Sequence, residues 1–236
     1  MKVKLISYTQ PTVEMNEQDL KTAQDLIAFT ARVSNPANQM NTETSEKLLK
    51  YLMKHQHWSP FEMVSACIEI ETTRDIAHQI VRHRSFAFQE FSQRYAEPKL
   101  LGDMDTDQFV IRETRLQDTK NRQNSVMTDD EELEGRWMEQ QRKVIQAARE
   151  AYDWAIENGI AKEQARCVLP EGNTKTRLYM NGTLRSWIHY IELRSANGTQ
   201  KEHMDIAIAC GKVIEELLPM IKVTDNPDNS NPVHRI

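Results

Sequence analysis

The spacing of apolar residues predicts strands early in this chain and helices later. Residues Val3 to Tyr8 read as a short opening strand, and from Val64 to Glu71 apolar positions alternate with polar ones, a period of two typical of half-buried strands. Helical spacing predicts the other elements, at about residues 16–34, 42–54, 73–83, 130–158, 161–168, 183–195 and 201–218. Because strands and helices do not alternate strictly, the pattern favours an α+β fold with a mainly antiparallel sheet.

The polar and acidic stretch from Leu100 to Asp130 predicts a long excursion with mobile parts and one strand candidate at 109–111. Neither an internal repeat nor a convincing linker divides the sequence. We therefore expect one domain over residues 1–236, with a frayed tail at 226–236 that is rich in Pro and Asn.

Composition favours a soluble, cytoplasmic protein. Hydrophobic residues make up 39 % of the 236 positions and charged residues 28 %, and no apolar run approaches the roughly 20 residues of a membrane span. The first residues carry no secretory signal pattern. A formal net charge of −5 opposes generic binding to nucleic acid or to anionic membranes, so we expect neither as a partner.

The positions of the cysteines and glycines limit the kinds of binding site that this chain can form. The three cysteines, Cys67, Cys167 and Cys210, are widely spaced, which argues against a disulfide scaffold and a thiolate zinc site. The seven glycines never take the spacing of a dinucleotide fingerprint or a P-loop. If the protein binds nucleotides, side chains must supply the positive charge that a glycine-rich loop would otherwise provide.

Arginine is concentrated in two parts of the chain. Between His55 and Pro98 the lysine count is zero, whereas arginine occurs at 74, 82, 84 and 94, and a second run holds Arg166, Arg177, Arg185 and Arg194. Guanidinium groups suit planar, bidentate hydrogen bonding to phosphate. The helical rule of three and four residues further predicts that Gln79, Arg82 and His83 share one helix face.

The segment from Gln79 to Tyr95 has two interpretations. The general one is a solvated basic end of a helix, and the specific one is a family signature. Its pattern, Q-x-x-R-H-R-x5-E-x-S-x-R-Y, resembles the signature of the flavin-dependent thymidylate synthases. The resemblance extends to further blocks along the chain, at residues 31–34, 51–62, 165–170, 184–187, 193–194 and 200–202.

This resemblance implies a fold, a reaction and an assembly. The fold would be the family's twisted, mainly antiparallel sheet packed by helices, assembled as a homotetramer with active sites shared between subunits. The activity would be the reductive methylation of dUMP to dTMP in nucleotide biosynthesis. The resemblance also implies FAD as cofactor, with methylenetetrahydrofolate as the one-carbon donor and NADPH as the reductant.

The resemblance also assigns residues, and it assigns no metal. The residues it places at the flavin are Ser34, His57, Ser59, Glu62, Arg82, His83, Arg84, Glu90, Thr183, Arg185 and His189. Those it places at dUMP are Gln79, Arg82, Glu90, Phe91, Ser92, Gln93, Arg94, Arg166 and Arg194. Arg194 would be catalytic, because a fixed guanidinium can stabilise negative charge that builds up on the pyrimidine ring.

Three positions depart from, or vary within, the family pattern. Met63 stands where the family often has His, Thr183 where some members have Asn, and His189 where others have Asn. The family is thought to work without a thiolate nucleophile, so Cys67 is given no catalytic role and is expected to be buried in or beside a strand.

Two other classes of function remain open from the residues alone. His55 and His57 could suggest a metallohydrolase, although no Asp or Cys lies nearby at ligand spacing. A nucleic-acid-binding module could instead use Phe86, Phe88 and Phe91 as stacking platforms beside the arginines. The tryptophans of the long helix, Trp137 and Trp154, are interpreted as core or subunit interface.

Overall fold

A computed structural model describes residues 1–101 and 108–223 of the chain. These residues form two compact units. Unit 1 consists of residues 1–2, 71–82 and 89–178, and unit 2 of residues 3–70, 83–88 and those from 179 onward. The single domain over residues 1–236 stays a prediction, and the predicted frayed tail lies outside the described residues.

The strands confirm the α+β class and the mainly antiparallel sheet. The strand bounds are β1 Lys2–Tyr8, β2 Ser65–Thr73, β3 Ala87–Glu90, β4 Arg115–Gln117, β5 Ser125–Met127 and β6 Lys175–Thr183. Four strands form one sheet in the order β1-β2-β6-β3, and two short strands, β4 and β5, pair antiparallel as a hairpin that the sequence analysis did not predict. The strand candidate at 109–111 provides only an isolated bridge between Phe109 and Thr174.

The helices follow the predicted periodicity except near the beginning and in the middle of the chain. Their bounds are α1 Val13–Glu17, α2 Ala23–Ala31, α3 Ser45–Lys54, α4 Arg74–Ile80, α5 Glu131–Glu157, α6 Lys162–Ala165, α7 Leu184–Arg194 and α8 Lys201–Leu217. Short 3₁₀ helices occur at Pro36–Asn38, Ser59–Met63, Pro98–Leu101 and Arg166–Val168.

The single helix predicted at 16–34 is wrong, because local capping divides it into two. Asp19 adopts a positive φ of 69°, which interrupts the helix. The second helix, α2, then begins with a capping box, in which Thr22 and Asp25 satisfy each other's backbone N–H groups. The strong local N-cap therefore decides where α2 begins, against the weaker apolar spacing upstream.

The core of unit 2 is built around α7. Trp187 is fully buried, and its indole Nε1 donates a hydrogen bond of 3.0 Å to the carbonyl oxygen of Ala66 in β2. Ala66, Ile68 and Ile70 are buried in β2, which confirms the predicted alternation. One end of α7 is fixed by Thr183, whose hydroxyl accepts the N–H of Ser186.

Unit 1 contains the long helix α5, which confirms the helix predicted at 130–158. Asp130 caps its beginning by accepting the N–H of Leu133, and Gly159 follows its end with a φ of 75°. The buried face carries Ile145, Ala148, Tyr152 and Ala155.

Three large apolar side chains of α5 are exposed in the single chain. Trp137 is 46 % exposed, Val144 53 % and Trp154 60 %, so the two tryptophans do not belong to the core of this chain. Periodicity alone could not show which part of a wide apolar stripe the rest of the fold covers.

Candidate functional site

The arginine-rich segment leaves its helix earlier than the sequence predicts. Helix α4 ends at Ile80, so the predicted common helix face for Gln79, Arg82 and His83 is wrong. Arg82 continues as a turn, with its N–H bonded to the carbonyl oxygen of Gln79 at 3.3 Å, and His83 lies beyond it. Arg82 belongs to unit 1, His83 and Arg84 belong to unit 2, and both arginines are exposed.

The structure joins His83 to the predicted catalytic arginine. In unit 2, Arg194 at the end of α7 donates its Nε–H to Nε2 of His83 at 2.8 Å. Burial, and then the positive charge of Arg194, lower the pKa of His83 to about 4. The imidazole is therefore neutral near pH 7 and acts as an acceptor, while Arg194 carries the charge.

Residues of the predicted flavin set gather around the start of α7 and the 3₁₀ helix at Ser59–Met63. Glu62 and Arg185 form an ion pair, and each is about two-fifths exposed. His189, one turn along α7, packs edge-on against Trp58 with ring centroids 4.8 Å apart. Burial and the charge of Arg185 lower the pKa of His189, which keeps this ring neutral.

Four further members of the predicted flavin set are exposed at the surface or have a structural contact within the chain. His57 and His55 both contact the exposed ring of Tyr51, at 6.3 and 4.2 Å between ring centroids. Ser34 and Ser59 are exposed. The hydroxyl of Thr183 caps α7, a structural use that the sequence analysis did not anticipate.

The predicted dUMP set, apart from Arg194, lies in unit 1. Oε1 of Glu90 accepts hydrogen bonds from Arg74 at 3.0 Å and from the hydroxyl of Thr176 at 2.8 Å, partners that the resemblance did not assign. Arg94 lies 3.4 Å from Glu163 in an exposed ion pair. The structure thus fixes Glu90 firmly and leaves Arg94 at the surface.

Gln93 has an unusual environment in unit 1. Its side chain is only 4 % exposed, and its Nε2 has no hydrogen-bond partner within the described residues. A buried amide N–H without an acceptor costs about 1–3 kcal/mol. Such a donor is available to an acceptor oxygen of a bound ligand.

Two more members of this set are placed by backbone structure. The N–H of Phe91 donates to the carbonyl oxygen of Arg177 at 2.8 Å, which extends the pairing of β3 with β6 by one residue. Ser92 is half-buried after the strand, and Arg166 is half-buried at the start of the last 3₁₀ helix.

Two of the three cysteines, Cys67 and Cys210, lack the environment of an activated thiolate. Burial raises the pKa of Cys67, which is half-buried in β2, and raises that of the fully buried Cys210 further. Cys167 is exposed. Because the thiolate is the nucleophilic form, burial works against catalysis at Cys67 and Cys210.

The sequence analysis missed the groups behind His83. Tyr190 and His203 are buried residues of α7 and α8 that pack against its ring. A helical period can mark them as inward-facing, but it cannot show which loop residue they meet.

Within residues 1–101 and 108–223, none of the helices has the length and apolar character needed to cross a membrane. The same residues contain no group of three or more His, Cys, Asp or Glu side chains arranged around a possible metal position.

Comparisons with known proteins point to one family over most of the chain. A family model described as "Thymidylate synthase complementing protein" matches residues 14–220. A "Probable flavin-dependent thymidylate synthase" of Paramecium bursaria Chlorella virus 1 is 50 % identical over 221 residues, which is 94 % of this chain and 97 % of the relative. The "Flavin-dependent thymidylate synthase" of Synechocystis is 46 % identical over 222 residues, with the same two coverages.

A solved structure shares the fold. The UMP/dUMP methylase PolB from Streptomyces cacaoi, bound with 5-Br dUMP, superposes with a TM-score of 0.73 at 25 % identity, over 93 % of this chain and 91 % of that one.

Proposed function

The chain belongs to the thymidylate synthase complementing protein family, and from this membership we propose that it is a flavin-dependent thymidylate synthase that methylates dUMP to dTMP. The observation that carries the proposal is the hydrogen-bonded pair of Arg194 and neutral His83. It occurs in a chain that matches relatives named flavin-dependent thymidylate synthases over 94 % of its length. The dUMP substrate is further supported by PolB, a UMP/dUMP methylase of the same fold.

Arg194 is the proposed catalytic residue. Adding a one-carbon unit at C5 of the pyrimidine places negative charge on the ring's carbonyl and amide atoms, and a preorganised guanidinium stabilises that charge. Its Nε–H is already bonded to His83. The group therefore needs no reorganisation in the transition state. Burial of Cys67 and Cys210 agrees with chemistry that uses no cysteine nucleophile.

The remaining dUMP set supplies complementary hydrogen-bonding chemistry. Guanidinium and hydroxyl donors for the phosphate come from Arg82, Ser92, Arg94 and Arg166. The buried amide of Gln93, which lacks a protein partner among the described residues, provides a donor for an oxygen of the nucleotide. Gln79, Glu90 and Phe91 complete the set, with Glu90 fixed by Arg74 and Thr176.

The residues assigned to FAD fit a flavin dinucleotide chemically. Exposed guanidinium groups at Arg82 and Arg84 suit a diphosphate, and the ring-bearing side chains of His57, His83 and His189 suit planar ring systems. Ser34, Ser59, Glu62, Glu90, Thr183 and Arg185 complete the proposed set. When bound, the flavin supplies hydride-transfer chemistry, while the protein supplies orientation and charge.

Co-substrates, assembly and location belong to the same proposal. We expect methylenetetrahydrofolate and NADPH as co-substrates and a homotetramer with shared sites, in the cytoplasm. The exposed apolar side chains of α5, with Trp154 at 60 % exposure, support a subunit contact. Three free thiols agree with a reducing compartment.

The absorption spectrum of the purified protein tests the proposal together with a turnover assay. We expect bound flavin, and formation of dTMP from dUMP only when methylenetetrahydrofolate and NADPH are both present. Arg82→Ala should lose flavin or dUMP binding, whereas Arg136→Ala, which removes an arginine that is 75 % exposed on α5, should not. A colourless wild-type protein that makes no dTMP after FAD is added would refute the proposal.

A further inference from the structure

Behind the proposed catalytic arginine lies a polar pair that has no assigned role. Tyr190 in α7 is 1 % exposed and His203 in α8 is completely buried. The Nε2 atom of His203 lies 3.1 Å from the Tyr190 hydroxyl, at hydrogen-bonding distance. Burying two polar side chains is costly unless they are hydrogen bonded, and an apolar pair would fill the same space without that cost. The pair therefore calls for an explanation other than packing.

Both members of the pair contact His83. The Tyr190 and His83 rings meet edge-to-face at 4.9 Å between centroids and 87° between planes. The His203 and His83 rings lie 6.2 Å apart at 84°. The imidazole of His83 is thus held from behind by two rings whose own orientations are linked by the hydrogen bond between them.

The bond from Arg194 fixes the protonation of His83. Arginine remains protonated, so its Nε can only donate, and Nε2 of His83 must carry a lone pair. The proton of the neutral ring is therefore on Nδ1. Among the described residues, the hydrogen bond of the Arg194 guanidinium uses Nε, at the edge of the group next to the aliphatic stem.

Burial and the positive charge of Arg194 keep the His83 ring neutral. The titratable or charged groups facing it are Arg194 and Tyr190 from α7 and His203 from α8. Burial, Arg194 and His83 lower the pKa of His203 to about 3, and burial raises the pKa of Tyr190. Both members of the pair are therefore neutral near pH 7, and neither competes with Arg194 as a charge.

We propose that Tyr190 and His203 are positioning residues that act through His83: they hold its ring so that Nε2 accepts from Arg194 and the guanidinium is presented to the pyrimidine in one orientation. The role in turnover depends on the proposed function, whereas the orientation of His83 does not. The hydroxyl of Tyr190 links the two buried rings, so removing it should loosen His83 while preserving apolar packing.

A double-mutant cycle tests this role by turnover. Tyr190→Phe should lower kcat about 10-fold with little change in KM for dUMP, because small misplacements of a catalytic group are costly. In an Arg194→Lys background the same change should cost less than twofold, since the guanidinium that it positions is gone. An equal loss in both backgrounds would show a general structural effect and overturn the proposal.

Two further variants serve as controls. Tyr152→Phe removes another buried tyrosine hydroxyl, one without a hydrogen-bond partner among the described residues, and should leave kcat unchanged. His203→Gln, which can still hydrogen bond to Tyr190, should keep more of kcat than His203→Leu. Equal kcat in the two His203 variants would contradict a role for the hydrogen bond.

Nitrogen-15 NMR of the histidine rings, without substrate, tests the orientation independently. In the wild-type protein, His83 should show a protonated Nδ1 and an unprotonated Nε2 down to about pH 5. In Tyr190→Phe it should show mixed tautomers and titrate at higher pH. A His83 spectrum identical in both proteins would overturn the proposal. Lack of dTMP formation by the wild type would refute the proposed function alone, because the NMR result would still decide the positioning role.

Discussion

Replacing Gly182 with alanine tests how tightly unit 2 is packed around Phe86. A Cβ atom at Gly182 would lie 2.4 Å from Cδ1 and 2.7 Å from Cε1 of the Phe86 ring, far inside contact distance. The ring cannot move freely, because it packs against Trp187 at 4.8 Å and Tyr190 at 5.9 Å, and both of these side chains are buried. The added methyl group must therefore displace a packed aromatic cluster.

The expected cost follows from two opposing terms. Forcing an extra methyl group into a filled core typically costs about 1–3 kcal/mol. Alanine also restricts the unfolded chain, which returns about 0.4–1 kcal/mol where the backbone conformation is allowed, and Gly182 does not have a positive φ. We expect Gly182→Ala to lower the free energy of unfolding by about 1–2 kcal/mol in total.

Gly135 provides the matched control. It lies within α5, and a Cβ atom there would meet nothing within 4 Å. Gly135→Ala should raise the free energy of unfolding by about 0.5–1 kcal/mol, because glycine within a helix is destabilising. Opposite signs for the same chemical change would isolate the contact with Phe86.

Urea denaturation followed by circular dichroism, at one fixed protein concentration, measures both effects. Adding Phe86→Leu to Gly182→Ala should recover part of the loss, since the smaller side chain leaves room for the methyl group. If Gly182→Ala unfolds at or above the wild-type midpoint with an unchanged slope, the reasoning about this contact is wrong.

Three other predictions concern charge and chemistry. The folded-state pKa of His203, about 3, lies below the ordinary value of 6.5, so the stability from its neutral ring is present above pH 6.5 and is lost as pH falls towards 3. Between pH 7.5 and 5, urea denaturation should show the wild type losing about 2 kcal/mol more of its free energy of unfolding than His203→Gln. Equal losses in the two proteins would contradict this prediction. Arg194→Lys should lower kcat about 100-fold at an unchanged melting temperature, as measured by dTMP formation and circular dichroism, and normal turnover would remove Arg194 from the mechanism. The combined variant Cys67→Ser, Cys167→Ser and Cys210→Ala should keep its turnover if folded, and complete loss in a well-folded protein would reopen the question of a thiolate nucleophile.

The sequence was most informative where structure depends on neighbouring residues. Strand β2 and helices α5, α7 and α8 were confirmed because a period of two or of 3.6 directly reflects backbone geometry.

Predictions failed where distant residues compete with local spacing. Helix α4 was expected to reach His83 but ends at Ile80, so the face shared by Gln79, Arg82 and His83 does not exist. On α5 the spacing could not distinguish a buried residue from an exposed one, and Trp154 proved to be exposed.

For this protein, the sequence alone determined the family and the identities of the proposed site residues, because a motif of fixed spacing is a property of the chain itself. Only the tertiary structure decided what those residues touch. Arg194 meets His83 across 111 positions, Glu90 meets Thr176 across 86, and Tyr190 meets His203 between two helices. Such contacts arise from packing and from the burial of polar groups, and neither is encoded in the local period of the chain.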